Sequence, residues 1–132
     1  MVPLIRDVLG ARFLMGATEP GQGFRWAQFQ FPGGGVIELI EPVGPSGFVQ
    51  DFLAQRGEGL HHITLRVRDI AVRARELEAQ GYHPFKPKFD NPVWKELFLH
   101  PRETHGVLIQ LAESELPYSR EIEYYQQLNL EV

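Results

Sequence analysis

The sequence predicts an α+β domain made of two copies of a βαβββ module, the first copy lacking its opening strand. Three observations carry this expectation. First, the two halves can be laid over one another as helix, glycine, strand, strand, turn, strand. They end in Gly35-Val36-Ile37-Glu38-Leu39-Ile40-Glu41 and in Gly106-Val107-Leu108-Ile109-Gln110-Leu111-Ala112-Glu113. Second, Gly10 to Glu38 is a step of 28 residues and Gly81 to Gln110 a step of 29, which makes Glu38 and Gln110 equivalent positions. Third, only the second half has a strand, LHHITLRV (60–67), ahead of its helix. By the same arithmetic a counterpart of His62 would fall about nine positions before Met1. With 132 residues the chain is expected to be one domain, with module one at 1–46, module two at 59–113 and a tail at 114–132.

Each element has a local reason. Val2, Leu4, Ile5, Val8 and Leu9 recur at helical spacing before Gly10, a natural stop. Arg12–Met15 reads as a short strand, followed by a turn-rich stretch, GATEPGQG, at 16–23. The aromatic-rich FRWAQFQF (24–31) reads as a strand, PGGG (32–35) as a turn, and Val36–Ile40 as a strand closed by Pro42. A short helix is expected over Phe48–Ala54. In the second half LHHITLRV alternates cleanly. Asp69 is placed to cap a helix that sets Ile70, Ala74 and Leu77 on one face and stops at Gly81. Strands are expected at 83–88, 94–99 and 106–111.

Composition narrows the function classes. The absence of cysteine removes disulfide scaffolds, zinc ribbons and thiol nucleophiles. A net charge of −4 lacks the basic face that nucleic-acid binding needs. No apolar run approaches the ~20 residues of a membrane span, and Arg6 and Asp7 interrupt the N-terminal apolar stretch, unlike a signal peptide. The expectation is a cytoplasmic protein with a small-molecule substrate or ligand.

Strand parity then selects residues. Ile37 and Leu39 flank Glu38, Ile109 and Leu111 flank Gln110, and His61 and Ile63 flank His62. The apolar neighbours claim the helix side, so one polar side chain per strand faces the other way. Taken singly, such a residue is an ordinary solvated side chain. The repeat-related placement makes the set notable: one imidazole and two oxygen donors suit a divalent metal with room for water or substrate. Arg66 shares the His62 face and could pair with a carboxylate or phosphate. His61 is expected to pack or sit on a rim, and His100 and His105 to flank a surface turn. Trp26, Phe29, Trp94 and Phe98 are read first as core aromatics.

These residues resemble the vicinal oxygen chelate superfamily, which includes glyoxalase I, bleomycin-resistance proteins, extradiol dioxygenases and methylmalonyl-CoA epimerase, the nearest likeness. VIELIEPVGPSGFVQDFLAQRGEGLHHITLRVRDI (36–70) is similar to that family's E-L-L-E-P segment, short helix and H-H-I strand, and LFLHPRETHGVLIQL (97–111) to its closing strands. The resemblance implies a cupped, mixed, glyoxalase-like sheet holding one divalent metal such as Ni, Co, Zn, Mn or Fe. Carried across residue by residue, the ligands are Glu38, His62 and Gln110, with nothing to match the first-strand His. The metal would polarise a carbonyl or thioester oxygen while an α-proton is removed.

The family's two proton-transferring carboxylates fall on Gln110 and Gln22, with Glu19 the nearest acid to the latter, and an amide cannot shuttle a proton. Proton transfer would then rest on Glu38, Glu19 or a metal-bound water. One expectation is therefore a metal-dependent isomerase or lyase in which Arg66, Trp94 and Phe98 bind substrate. The alternative is a non-catalytic, antibiotic-like binder whose groove is lined by Trp26, Phe29, Trp94 and Phe98. The missing strand leaves an unpaired sheet edge, to be filled by a homodimer partner or by Leu128–Val132 of the tail.

Overall fold

The computed structural model describes residues 1–91 and 93–114. They group into two compact units, one made from Met1–Glu58 and the other opening at Gly59. In the first, β1 (Arg12–Glu19), β2 (Phe24–Gln30) and β3 (Val36–Pro42) form an antiparallel sheet in that order. In the second, β4 (His62–Arg66), β5 (Phe85–Lys88), β6 (Lys95–Leu99) and β7 (Leu108–Glu113) are ordered β4-β7-β6-β5, with β4 parallel to β7 and the other pairs antiparallel. The expected α+β class is present. The second unit is a βαβββ module, and the first follows the same pattern without an opening strand among the described residues. The tail beyond Ser114 lies outside the described residues.

Both sheets are held by helix packing on one face. In the first unit Ile5 is buried against Ala11, Ala27 and Phe29, with Ile37 and Leu39 beside them. In the second, α2 (Ile70–Ala79) covers β6 and β7, burying Ile70, Leu97 and Leu111 with Ala74, Leu77 and Ile109 around them. Asp69 caps α2 as expected: its Oδ1 accepts the Val72 N–H at 2.9 Å. The connecting helix α1 spans Phe48–Arg56.

Three local expectations are corrected. The N-terminal segment is helical, but Leu4–Val8 is a π-helix, in which the Leu9 N–H reaches back five residues to the Leu4 carbonyl at 3.0 Å. Its wider turn rotates Leu4, Val8 and Leu9 to solvent, leaving Ile5 as the buried residue of the helix. Next, β1 runs on through Glu19, so residues 16–19 are strand and the turn begins at Pro20. Gly16 is not a turn signal here: a Cβ at that position would sit 2.5 Å from the Trp26 carbonyl oxygen, so the glycine permits close strand approach. Lastly, Ile63 and Leu65 were expected against the helix, yet they are 42% and 50% exposed. Edge strand β4 lies beside β7 at the margin of the sheet, while α2 packs over β6 and β7.

Candidate functional site

The face of the second sheet away from α2 carries a row of polar side chains, one from each strand. Register dictates it. Thr64 pairs with Gln110 across β4 and β7, Phe98 with Gln110 across β6 and β7, and Lys88 with Glu96 across β5 and β6. Lys88 Nζ lies 3.2 Å from Glu96 Oε1. Gln110 Nε2 donates to Glu96 Oε2 at 2.7 Å, and Thr64 Oγ1 donates to Gln110 Oε1 at 2.6 Å. Trp94 Nε1 also donates to Glu96 Oε2, at 3.0 Å. Gln110 is 7% exposed and is the buried polar residue among those described; the Glu96 side chain is 14% exposed. Such burial is tolerated because both ends of the amide and both carboxylate oxygens are satisfied.

A β-bulge makes this row. From the Phe85–Phe98 pair, a regular antiparallel ladder would set Lys88 opposite Lys95. The register instead shifts by one residue between Phe85 and Lys88, where Lys86 takes a left-handed φ of 51°, and Lys88 arrives opposite Glu96. Like charges are thereby separated and an ion pair is formed.

His62 opens the same face at the start of β4. It is half-buried, and its Nδ1 is 2.9 Å from Nδ1 of His61, whose ring stands edge-on at 87°. Burial pushes the His62 imidazole below its ordinary pKa, while the Glu96 carboxylate pulls the other way. The outcome favours the neutral ring, the form that binds metals. His61 was expected to pack or sit on a rim; it is half-buried and contacts His62 itself, because it precedes the strand and escapes the parity that governs β4. Arg66 lies over Trp94, its guanidinium carbon 5.2 Å from the ring centroid, so a cation–π contact joins Arg66 to the indole that Glu96 anchors.

In the first sheet Glu38 stands opposite Gln28, whose Nε2 donates to Glu38 Oε2 at 2.7 Å. Trp26, paired with Ala17 and Ile40, lies half-buried on this same face, whereas Phe29 is buried against Ile5 on the other and is a core residue, not a groove residue. Glu19 pairs with Phe24, four residues along β2 from Gln28, or about 13 Å. Gln22 sits in the turn beyond, its backbone N–H on the Glu19 carbonyl at 3.0 Å. Glu19 and Gln22 thus neighbour one another but not Glu38.

Sequence parity put His62, Arg66 and Gln110 on this face and read Trp94 and Phe98 as core aromatics or substrate contacts, but it passed over Thr64, Glu96, Lys88 and, in the first sheet, Gln28 as site residues. For Glu96 the signal was there: it alternates between Trp94 and Phe98, and parity sends all three the same way. Lys88 had no such signal, since the bulge decides its partner. A separate open cleft of about 360 Å³ is lined by His83, Phe85, His100, Arg102 and Glu103, none of them among the predicted site residues. His100 and His105 are exposed, as expected. Among the described residues no three His, Asp or Glu side chains gather to hold a metal ion. Nor is any helix there long and apolar enough to cross a membrane.

Comparison with known proteins agrees with this architecture. A family model described as the Glyoxalase/Bleomycin resistance protein/Dioxygenase superfamily matches residues 1–96. An uncharacterized protein of Bacillus subtilis, YqjC, is 36% identical over 81% of this chain and 77% of its own length. An ethylmalonyl-CoA/methylmalonyl-CoA epimerase of Cereibacter sphaeroides is 31% identical over 82% of this chain and 83% of its own. The crystal structure of methylmalonyl-CoA epimerase from Mycobacterium tuberculosis aligns with a TM-score of 0.76 at 29% identity, covering 89% of this chain and 79% of that one. The duplicated modules, the matching family model and these relatives agree: the chain belongs to the glyoxalase/bleomycin resistance protein/dioxygenase superfamily.

Proposed function

We propose that the chain is a divalent-metal-dependent enzyme acting on a small carbonyl compound or acyl thioester, with Glu38, His62 and Gln110 as its metal ligands. One observation carries the reading: each sheet sets an oxygen-bearing side chain from its last strand on the face away from its helix, held by a partner on the next strand. His62 adds an imidazole biased by burial to its neutral form. One nitrogen and two oxygens suit a borderline cation such as Ni²⁺, Co²⁺, Zn²⁺, Mn²⁺ or Fe²⁺. When bound, such an ion supplies Lewis-acid polarisation of a carbonyl oxygen.

The chain's own groups do the rest. Arg66, stacked on Trp94, offers a guanidinium to a substrate carboxylate or phosphate, and Trp94 and Phe98 supply apolar surface beside it. Within the ligand set Glu38 is the carboxylate available to move a proton, because Gln110 and Gln22 hold none to give and Glu19 stands about 13 Å along the sheet from it. The similarity to an ethylmalonyl-CoA/methylmalonyl-CoA epimerase supports an acyl-thioester substrate. A second reading, a non-catalytic small-molecule binder, is favoured by Trp26, Trp94 and Phe98 lying half-buried on the sheet faces away from the helices.

Calorimetric titration with Co²⁺, Ni²⁺, Zn²⁺ and Mn²⁺ tests both. Saturable one-to-one binding that weakens at least tenfold in His62→Ala is expected. No such binding, with metal-free protein stabilised by organic ligands instead, overturns the enzyme in favour of the binder.

A further inference from the structure

We infer that Glu96 is the positioning residue that fixes which end of the Gln110 amide faces β4. A carboxylate only accepts hydrogen bonds, so the group 2.7 Å from Glu96 Oε2 must be the amide nitrogen of Gln110. The amide oxygen is thereby turned towards β4, where it takes the Thr64 hydroxyl hydrogen. Without Glu96 the choice is open, because a hydroxyl can donate or accept and would satisfy either end of the amide. Oxygen and nitrogen differ decisively as ligands: the one donates an electron pair to a cation and the other cannot.

Glu96 is itself held from two sides. Trp94 Nε1 shares Oε2 with the Gln110 amide, and Lys88 occupies Oε1. The Lys88 contact exists because the ladder slips by one residue at Lys86, in a backbone conformation that a side-chain-bearing residue rarely adopts. Local backbone strain and the loss of regular pairing on β5 are thus spent on placing an ammonium against this one carboxylate. The result is a four-strand relay, Lys88 to Glu96 to Gln110 to Thr64, that makes position 110 oxygen-first. Gln110 can then serve where a carboxylate would need no orienting, since both of its ends are oxygen.

The inference rests on the proposed role of Gln110 as a ligand, and the test separates the two. In ¹⁵N-edited NMR of the full chain, the Gln110 amide protons are expected to show a nuclear Overhauser contact to the Trp94 indole N–H, which shares their acceptor. A contact to the Thr64 hydroxyl instead overturns the inference, whatever the metal does. Glu96→Leu is expected to abolish the indole contact and to weaken Co²⁺ binding 10- to 100-fold, the usual cost of losing a group that orients a ligand. Glu96→Gln, which keeps an acceptor oxygen, is expected to stay within about threefold of wild type. If Glu96→Leu folds and leaves both readouts unchanged, Glu96 orients nothing. Should that variant fail to fold, the wild-type contact together with Glu96→Gln decides. If wild type takes up no Co²⁺, the metal reading fails while the indole contact still judges Glu96.

Discussion

The two units hold the same pair of side chains with the parts exchanged. In the first sheet the last strand carries the carboxylate, Glu38, and the neighbouring strand the amide, Gln28. In the second the last strand carries the amide, Gln110, and the neighbour the carboxylate, Glu96. Gln28 stands directly opposite Glu38, whereas Glu96 is diagonal to Gln110, across from Ala112. The duplicated backbone therefore fixes where a polar pair can be buried, on the last strand and its neighbour. It leaves open which strand bears the charge. Extra donors stabilise the charge where it sits: Glu96 has Lys88 and Trp94 as well as the amide.

The sharpest way to break this comparison is to make the second sheet copy the first. Gln110→Glu alone puts two carboxylates within hydrogen-bonding distance on a mostly buried face. The loss is expected to be about 1–3 kcal/mol at pH 7, from a lost bond and like-charge repulsion. It should shrink as pH falls and the pair takes up a shared proton. Adding Glu96→Gln restores one acid and one amide in the order of the first sheet and should recover most of the loss. Denaturant midpoints for the two single variants and the double give the coupling directly. Additive losses would mean that the pair does not act as a unit.

A smaller effect separates the helices. The N-cap positions of the first unit's π-helix and of α1 are Pro3 and Gly47, neither of which supplies a side-chain cap, while α2 has Asp69. Asp69→Ala is expected to cost about 1 kcal/mol in thermal or denaturant unfolding, and Asp69→Ser to retain most of it.

How far the sequence shows all this depends on the range of the interaction. Ile37, Leu39, Ile109 and Leu111 go to their cores because strand parity is local, and counting from Gly10 and Gly81 matches Glu38 with Gln110 before any coordinates. The Asp69 cap is equally local. What fails is decided across strands. Gly16 resembles a turn glycine until Trp26 is seen against it. Ile63 and Leu65 read as core until the margin position of β4 is known. The face of Glu96 follows from its alternation with Trp94 and Phe98, but its ion pair does not, because Lys88 is delivered by a bulge. The family is legible from 36–70 and 97–111; the orientation of its amide is not.

The last contrast concerns two carboxylates that the repeat also makes equivalent, Glu41 and Glu113, each three residues beyond its site position. Glu41 is more than half exposed and pairs with Arg25 at the surface. Glu113 is turned inward: its Oε2 takes the Ile70 N–H at 2.7 Å, at the start of α2, and its Oε1 meets Lys95 Nζ at 3.0 Å. The Ile70 N–H, and after it Lys95, hold the Glu113 carboxyl below its usual value of 4.5. A carboxyl whose pKa is lower folded than unfolded adds stability that is complete above the unfolded value and disappears as pH falls through the folded one. Glu113→Gln keeps an acceptor for Ile70 but removes the charge at the helix start. It is expected to cost about 0.3–1 kcal/mol at pH 7, with the gap from wild type closing as pH falls from the ordinary value of 4.5 through the lowered folded one. Denaturant midpoints from pH 7 to 3 measure this, with Glu41→Gln as the surface comparison, where an exposed ion pair is worth at most about 1 kcal/mol. If the Glu113 gap stays constant across that range, the carboxylate's contribution is packing rather than charge, and the two repeat positions differ only in burial.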